Sequence, residues 1–206
     1  MWLTTYTHRF VMIYLASQSP RRAELLQQIG VSFQKIVCSI NETPIEGEAP
    51  SDYVLRMARE KAIAGWQQLL QSKNEKRPLL ASDTTVVFDG QILGKPEDEN
   101  DARRMLQLLS GQKHQVMTSI ALSDGERTVS KVVTTEVVFN DLTDQLINDY
   151  IASGEPFDKA GAYAIQGYGA VLVASIAGSF SAVVGLPLME TARLLSEFDV
   201  PVWCNR

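Results

Sequence analysis

The stretch Ser17-Gln18-Ser19-Pro20-Arg21-Arg22 carries more chemistry than any other part of this sequence. The apolar run at 13–16 before it has the form of a short buried strand. Ser19 suits a helix N-cap and Pro20 a first helical position. Leu25, Leu26 and Ile29 follow at helical spacing, and Gly30 marks a stop. Arg21 and Arg22 therefore fall in the first turn, at the positive end of the helix dipole. Each cation there costs about 0.3–1 kcal/mol unless an anion joins it. Free backbone N–H groups, the hydroxyls of Ser17 and Ser19 and two guanidinium groups would together cradle a phosphate. The plainer alternative is a solvated helix start with two surface arginines.

Other polar groups stand in apolar surroundings. Ser82-Asp83-Thr84-Thr85 interrupts an otherwise apolar strand at 79–88. Aspartate is depleted in strands and costly to bury unpaired, so Asp83 calls for a cation, a metal or a water-lined cleft. Asp89-Gly90 is a two-residue turn signal, and a second arm at 91–93 would place Lys95 opposite Thr84. An ordinary Asp83–Lys95 ion pair is one outcome of that register. Lys61 lies on the same helical face as Val54, Met57 and Ala58, and either snorkels to water or enters a cleft. The segment 90–96 is too short for a P-loop, lacks the Ser or Thr after its lysine, and sits in a hairpin arm. Around Gln166, the glycine-rich segment 158–169 either lets backbone approach a ligand closely or forms an irregular turn.

The elements needed to position these groups alternate. A strand is expected at 31–40, leading into the polar loop Asn41-Glu42-Thr43-Pro44. Ser51 would cap a long helix, followed by the hairpin 79–93 and a helix at 96–110 with acidic residues in its first turns. Paired strands at 115–122 and 128–139 flank Asp124-Gly125. Thr143 caps a helix stopped by Gly154 and Pro156. Strands at 170–176 and 180–184 precede a last helix opened by Gly185-Leu186-Pro187. Helices alternating with strands and hairpins imply an α/β fold with a mixed sheet.

With 206 residues, 45% apolar and 21% charged, the chain suits one domain and can bury a sizeable core. A formal charge of -5 argues against a nucleic-acid partner while leaving room for a basic pocket. Cys38 and Cys204 imply no disulfide framework and fit a reducing, cytoplasmic setting. With only His8 and His114 besides, a metal here would be a hard cation held by carboxylates. No run reaches membrane-spanning length, so no membrane partner is expected. Arg9 before the apolar run 10–16, with small residues after it, gives a faint echo of a signal peptide, and Met12 stands directly before the first strand. We therefore expect 1–11 to be an extension or a misplaced start, and 12–206 to be the domain.

Taken in order, the motifs resemble the Maf family of nucleoside triphosphate pyrophosphatases. They are Ser17 to Arg22, Glu42, Arg59-Glu60-Lys61-Ala62, Asp83-Thr84, Gly94-Lys95-Pro96 and Ser110-Gly111. Asp158-Lys159-Ala160-Gly161-Ala162-Tyr163, Ile165-Gln166-Gly167 and Val184-Gly185-Leu186-Pro187 complete the set, which runs from residue 13 to about 199.

The resemblance implies a two-lobed α/β fold similar to that of inosine triphosphatases, with a cleft between lobes and a homodimer. It implies hydrolysis of a nucleoside triphosphate between its α- and β-phosphates with Mg²⁺ or Mn²⁺. Asp83 is implied as general base or metal ligand, Glu42 as a metal-binding carboxylate, and Lys61 and Lys95 as phosphate clamps alongside Ser17, Ser19, Arg21 and Arg22. The dTTP- and UTP-hydrolysing subgroup carries Arg, Thr and Gln where this chain has Arg21, Thr84 and Gln166. The 7-methyl-GTP subgroup differs at all three. A glutamine amide donates to a uracil carbonyl and accepts from its N3–H, whereas a carboxylate would repel that carbonyl. The rival readings are a pyrophosphatase for another non-standard nucleotide and a nucleotide-binding regulator of septum formation.

Overall fold

The computed structural model describes residues 12–72 and 74–203, so the expectation for residues 1–11 lies outside the described residues. Its elements are β1 (Ile13–Ala16), α1 (Pro20–Gln28), β2 (Phe33–Lys35), α2 (Pro50–Gln71), β3 (Leu79–Phe88), β4 (Gln91–Leu93) and α3 (Glu99–Leu109). They continue with β5 (Lys113–Ser123), β6 (Thr128–Phe139), α4 (Asp144–Ala152), β7 (Val173–Ala177), α5 (Phe180–Val184) and α6 (Leu188–Glu197). Six strands line up in the order β2-β1-β3-β5-β6-β7, and β4 pairs with β3 alone. The sheet is mixed. β1 runs parallel to β2 and β3, while β3, β4, β5, β6 and β7 pair antiparallel.

β3 organises the site because its two halves have different neighbours on one edge. Its first residues pair with β1, from Tyr14↔Leu79 to Ala16↔Ala81. Its last residues pair with β4, from Val86↔Leu93 to Phe88↔Gln91. Between them Ser82, Asp83, Thr84 and Thr85 have strand partners only on the β5 side. The sheet is thus notched at the polar stretch of β3.

Three apolar clusters meet along the same strand. Leu80 joins Leu15, Leu26 and Leu195 in a core beneath α1 and α6. Leu79 and Ala81 face Ala58, Ala62 and Leu69 of α2 on the other side. Val86 belongs to a separate core with Leu106, Leu109 and Ile147 of α3 and α4. Burying each leucine or isoleucine contributes about 1.5–3 kcal/mol, so the clusters hold two lobes firmly on either side of the notch. The expected two-lobed mixed-sheet α/β architecture is what forms. Gly125 shows how tightly the β5–β6 turn is fitted: its φ is +90°, and a Cβ there would lie 2.2 Å from the Trp66 ring.

Several expected boundaries shift for local reasons. β2 covers only 33–35 of the expected 31–40, because β1 ends at Ala16 and offers no longer partner. α2 starts at Pro50, not at a Ser51 cap, with Ala49 before it and Asp52 in the first turn. α3 starts at Glu99, not at 96, because the Asp98 side chain accepts from the Asp101 N–H. The expected strand at 170–176 becomes a 3-10 turn over Gly167–Leu172 followed by β7. The expected strand at 180–184 is the helix α5, with the Ser179 hydroxyl accepting from Ala182 N–H as its cap. A short apolar run has no period of its own, and the capping serine decides it.

His114, on β5, is 2% exposed and shares a 2.8 Å hydrogen bond between its Nε2 and the Tyr163 hydroxyl. Burial pushes its pKa down from 6.5 to about 4. The unfolded chain takes up this proton near pH 6.5 and the folded chain only near 4, so acidification through that window favours unfolding. We expect His114 to account for a loss of about 3 kcal/mol between pH 7 and pH 4. Urea unfolding of wild type and His114→Gln across that range checks it: the variant should lose that part of the slope.

Candidate active site

Alternation along β3 sends its notch residues to opposite faces of the sheet. Asp83 faces α2, where Lys61 Nζ donates to its Oδ1 at 2.6 Å. The same ammonium stands 2.7 Å from Glu42 Oε1. Lys61 therefore enters the cleft between two acids, and the ion pair considered between Asp83 and Lys95 gives way to Asp83–Lys61. The β4 ladder stops at Leu93, so Lys95 never comes opposite Thr84. Lys95 is exposed at the cleft wall and makes no hydrogen bond or ion pair among the described residues. Ser119, the register partner of Asp83 on β5, is buried with its hydroxyl unpaired among the described residues.

Charge dominates this end of the cleft. Burial pushes the Glu42 carboxyl up, but the Lys61 hydrogen bond and the charges of Lys61, Lys95 and Arg22 outweigh it and hold it below its usual range. Tyr53 donates its hydroxyl to the Glu42 carbonyl at 3.0 Å. Burial and the nearby Asp83 and Glu42 carboxylates push its pKa up to about 12.

On the opposite face, Ser82 and Thr84 meet the start of α1 and the end of α5. Arg22 Nε donates to Gly185 O at 2.9 Å, Nη2 to Thr84 Oγ1 at 3.2 Å and Nη1 to Ser17 Oγ at 3.4 Å. Ser82 Oγ donates to the same Gly185 carbonyl at 2.9 Å. Burial lowers the Arg22 pKa, with the Asp83 charge opposing it. The guanidinium stays charged and ties three segments together. Ser19 does not cap α1 with its side chain; its own N–H donates to Ser17 Oγ at 3.2 Å. The first-turn cations expected to need a foreign anion thus have partners within the chain. Arg21 Nη2 reaches Asp158 Oδ2 at 3.3 Å across the mouth of the cleft. Asp158 also contacts Lys159, and these two cations outweigh burial to hold its carboxyl low.

The glycine-rich segment forms the remaining wall. Gly161 N–H donates to Gly94 O at 2.9 Å, which joins this segment to the end of β4 beside Lys95. Gln166 is exposed immediately before the 3-10 turn Gly167–Leu172. The cleft has a volume of about 1100 Å³, and Ser17, Ser19, Arg21, Arg22, Glu42, Lys61, Asp83, Thr84, Lys95 and Gln166 all line it. Its size and mixed charge suit a polyanionic ligand with an apolar-edged head group.

Some functional candidates escaped the sequence reading. Tyr53 lines the cleft, and Thr118 stands behind Thr84. A threonine and a serine at 118–119 in an apolar strand gave the same signal as Ser82 to Thr85. Tyr53 gave no signal, since nothing in its helical spacing shows that the Glu42 loop folds back onto it.

Comparison with known proteins identifies the family. Residues 12–198 match the family described as Maf-like protein. A dTTP/UTP pyrophosphatase of Pseudoalteromonas atlantica is 54% identical over 193 residues, covering 94% of this chain and 100% of the relative. Proteins of the same name from Chromobacterium violaceum and Escherichia coli are 54% and 53% identical over 186 and 187 residues. They cover 90% and 91% of this chain, and 94% and 93% of their own lengths. A match of this extent makes this protein a member of the Maf-like family.

Proposed function

We propose that this protein hydrolyses dTTP and UTP between the α- and β-phosphates, giving the nucleoside monophosphate and pyrophosphate. The observation that carries the reading is the charge arrangement of the cleft. Asp83 and Glu42 converge on Lys61, with Arg21, Arg22 and Lys95 along the same walls. The dTTP/UTP pyrophosphatase name shared by relatives more than half identical to this chain supports it.

In this reading the polyphosphate lies along the cations. Ser17, Ser19 and the start of α1 offer hydroxyl and backbone N–H donors, Arg21 and Arg22 offer fork contacts, and Lys61 and Lys95 act as point charges. Asp83 takes the proton of the attacking water as general base. Thr84, Gln166 and Arg21 meet the base.

A divalent Mg²⁺ or Mn²⁺ fits the donor set. Two carboxylates converge, and no group of three or more potential ligands gathers among the described residues. Such ions are commonly held by one or two carboxylates plus substrate phosphates. Glu42 and Asp83 would hold the ion, which when bound spreads the charge developing on phosphate oxygens. The same reading takes the protein to be a homodimer acting in the cytoplasm, on the strength of the family resemblance. Among the described residues no helix is long and apolar enough to cross a membrane.

Pyrophosphate release measured with dTTP, UTP, CTP, GTP and 7-methyl-GTP at fixed Mg²⁺ tests the function. Preferred turnover of dTTP and UTP is expected, and a strong preference for 7-methyl-GTP would overturn the assignment. Asp83→Asn should still fold, because Lys61 keeps Glu42 as its counter-ion, and should lower kcat by about 10³-fold. Near-normal turnover in that variant removes Asp83 from the chemistry. Gln166→Glu should lower kcat/KM for dTTP and UTP by at least about 10-fold, because a carboxylate meets the base carbonyl repulsively. Binding of inorganic pyrophosphate, which has no base, should change little in that variant.

A further inference from the structure

We propose that Thr118, a buried residue outside the cleft lining, is a positioning residue that sets base specificity by making the Thr84 hydroxyl an acceptor only. A ligand group meeting Thr84 must then bring a hydrogen, as N3–H of uracil or thymine does and the bare N3 of cytosine does not. The inference rests on the reading that a pyrimidine nucleotide occupies the cleft.

Thr84 and Thr118 are register partners on β3 and β5, with their hydroxyl oxygens 3.0 Å apart. Thr118 is fully buried, and its Oγ1 stands 2.7 Å from the Ala182 carbonyl oxygen. A carbonyl has no hydrogen to give, so the Thr118 hydrogen is committed to Ala182. The 3.0 Å contact can then be made only by the Thr84 hydrogen, donated to Thr118. Arg22 Nη2 donates to Thr84 at 3.2 Å, and a guanidinium never accepts. One hydrogen and one lone pair of the Thr84 hydroxyl are thereby used. What remains toward the cleft, which Thr84 lines, is a single lone pair.

The polarity originates in the backbone. Ala182 is fully buried in the first turn of α5, and its own N–H donates to the capping Ser179 hydroxyl at 3.2 Å. That cap fixes the carbonyl that fixes Thr118, and Thr118 fixes Thr84. Gln166 has no such constraint, because its exposed amide offers both a donor and an acceptor. Thr84 would take N3–H, which leaves the Gln166 amide hydrogens for a flanking base carbonyl. Cytosine would set lone pair against lone pair at Thr84, a mismatch a built polar site rejects strongly.

Calorimetric Kd values for non-hydrolysable α,β-imido-UTP and α,β-imido-CTP test this on wild type, Thr118→Val and Thr118→Ser. Wild type should prefer the UTP analogue by about 10-fold or more. Thr118→Val frees the Thr84 hydrogen to turn toward the cleft and should cut that preference by about 10-fold, chiefly by tightening the CTP analogue. Thr118→Ser keeps the relay and should keep the wild-type ratio. Equal weakening of both analogues in Thr118→Val, or an unchanged ratio, overturns the inference. If Thr118→Val does not fold, wild type decides alone: equal affinity for the two analogues overturns it. Pyrophosphate release from UTP by wild type is measured separately, so an active enzyme with an unaltered ratio sinks the role of Thr118 and spares the pyrophosphatase reading.

Discussion

A single ammonium between two carboxylates sets the terms for the rest of this molecule. Lys61 meets Glu42 and Asp83 at 2.7 and 2.6 Å with only 14% of its side chain exposed. Two acids so placed would repel each other without it, and removing one partner of a desolvated pair costs far more than the pair contributes. The constraint reaches back into the fold. α2 must run long enough, and lie close enough to β3, to deliver a lysine to the notch, and the 41–44 loop must curl over to bring Glu42. Tyr53, about two turns nearer the start of α2 than Lys61, holds the backbone of that loop.

The notch follows from strand lengths. β1 stops at Ala16, opposite Ala81, because the chain must turn at Ser17 into α1, and β4 begins its pairing only at Val86. Lengthening either strand would close the gap and cover Asp83 and Thr84. The polar residues are therefore tolerated in a strand otherwise buried to the core. Their partners are side chains of α1 and α2 and the carbonyl at Gly185, which replace water at little net cost. Functional polarity and fold stability are separated along one strand, with cores on both sides of it.

Much of this was legible beforehand, for physical reasons that can be named. Asp83 stood out because an acid in an apolar strand is expensive, and the first-turn arginines because the helix dipole opposes them. Asp83, Arg21 and Arg22 all line the one cleft, as do Glu42, Lys61, Lys95 and Gln166. What could not be read was which group answers which. Asp83 finds Lys61, twenty-two residues away, over the lysine nearest in the hairpin register. The deciding facts are the early end of the β4 ladder and the packing of α2 on the sheet, and neither is written locally. α5 reads as a strand in the sequence because a five-residue run, four of them apolar, carries no period, and the Ser179 cap distinguishes the two states. Thr118 carries the same polar-in-apolar signal as Thr84, but its part shows only when its hydrogen is assigned to the Ala182 carbonyl.

The Arg21–Asp158 contact has a mechanical consequence. It joins the lobe bearing α1 to the segment packed on the other lobe, at 3.3 Å, with 25% and 64% of the two side chains exposed. An ion pair so open to water contributes only about 0–1 kcal/mol and fades as salt rises. It is a clasp weak enough for thermal motion to undo. Arg21 can therefore exchange Asp158 for an incoming anion at little cost, the more readily as ionic strength rises.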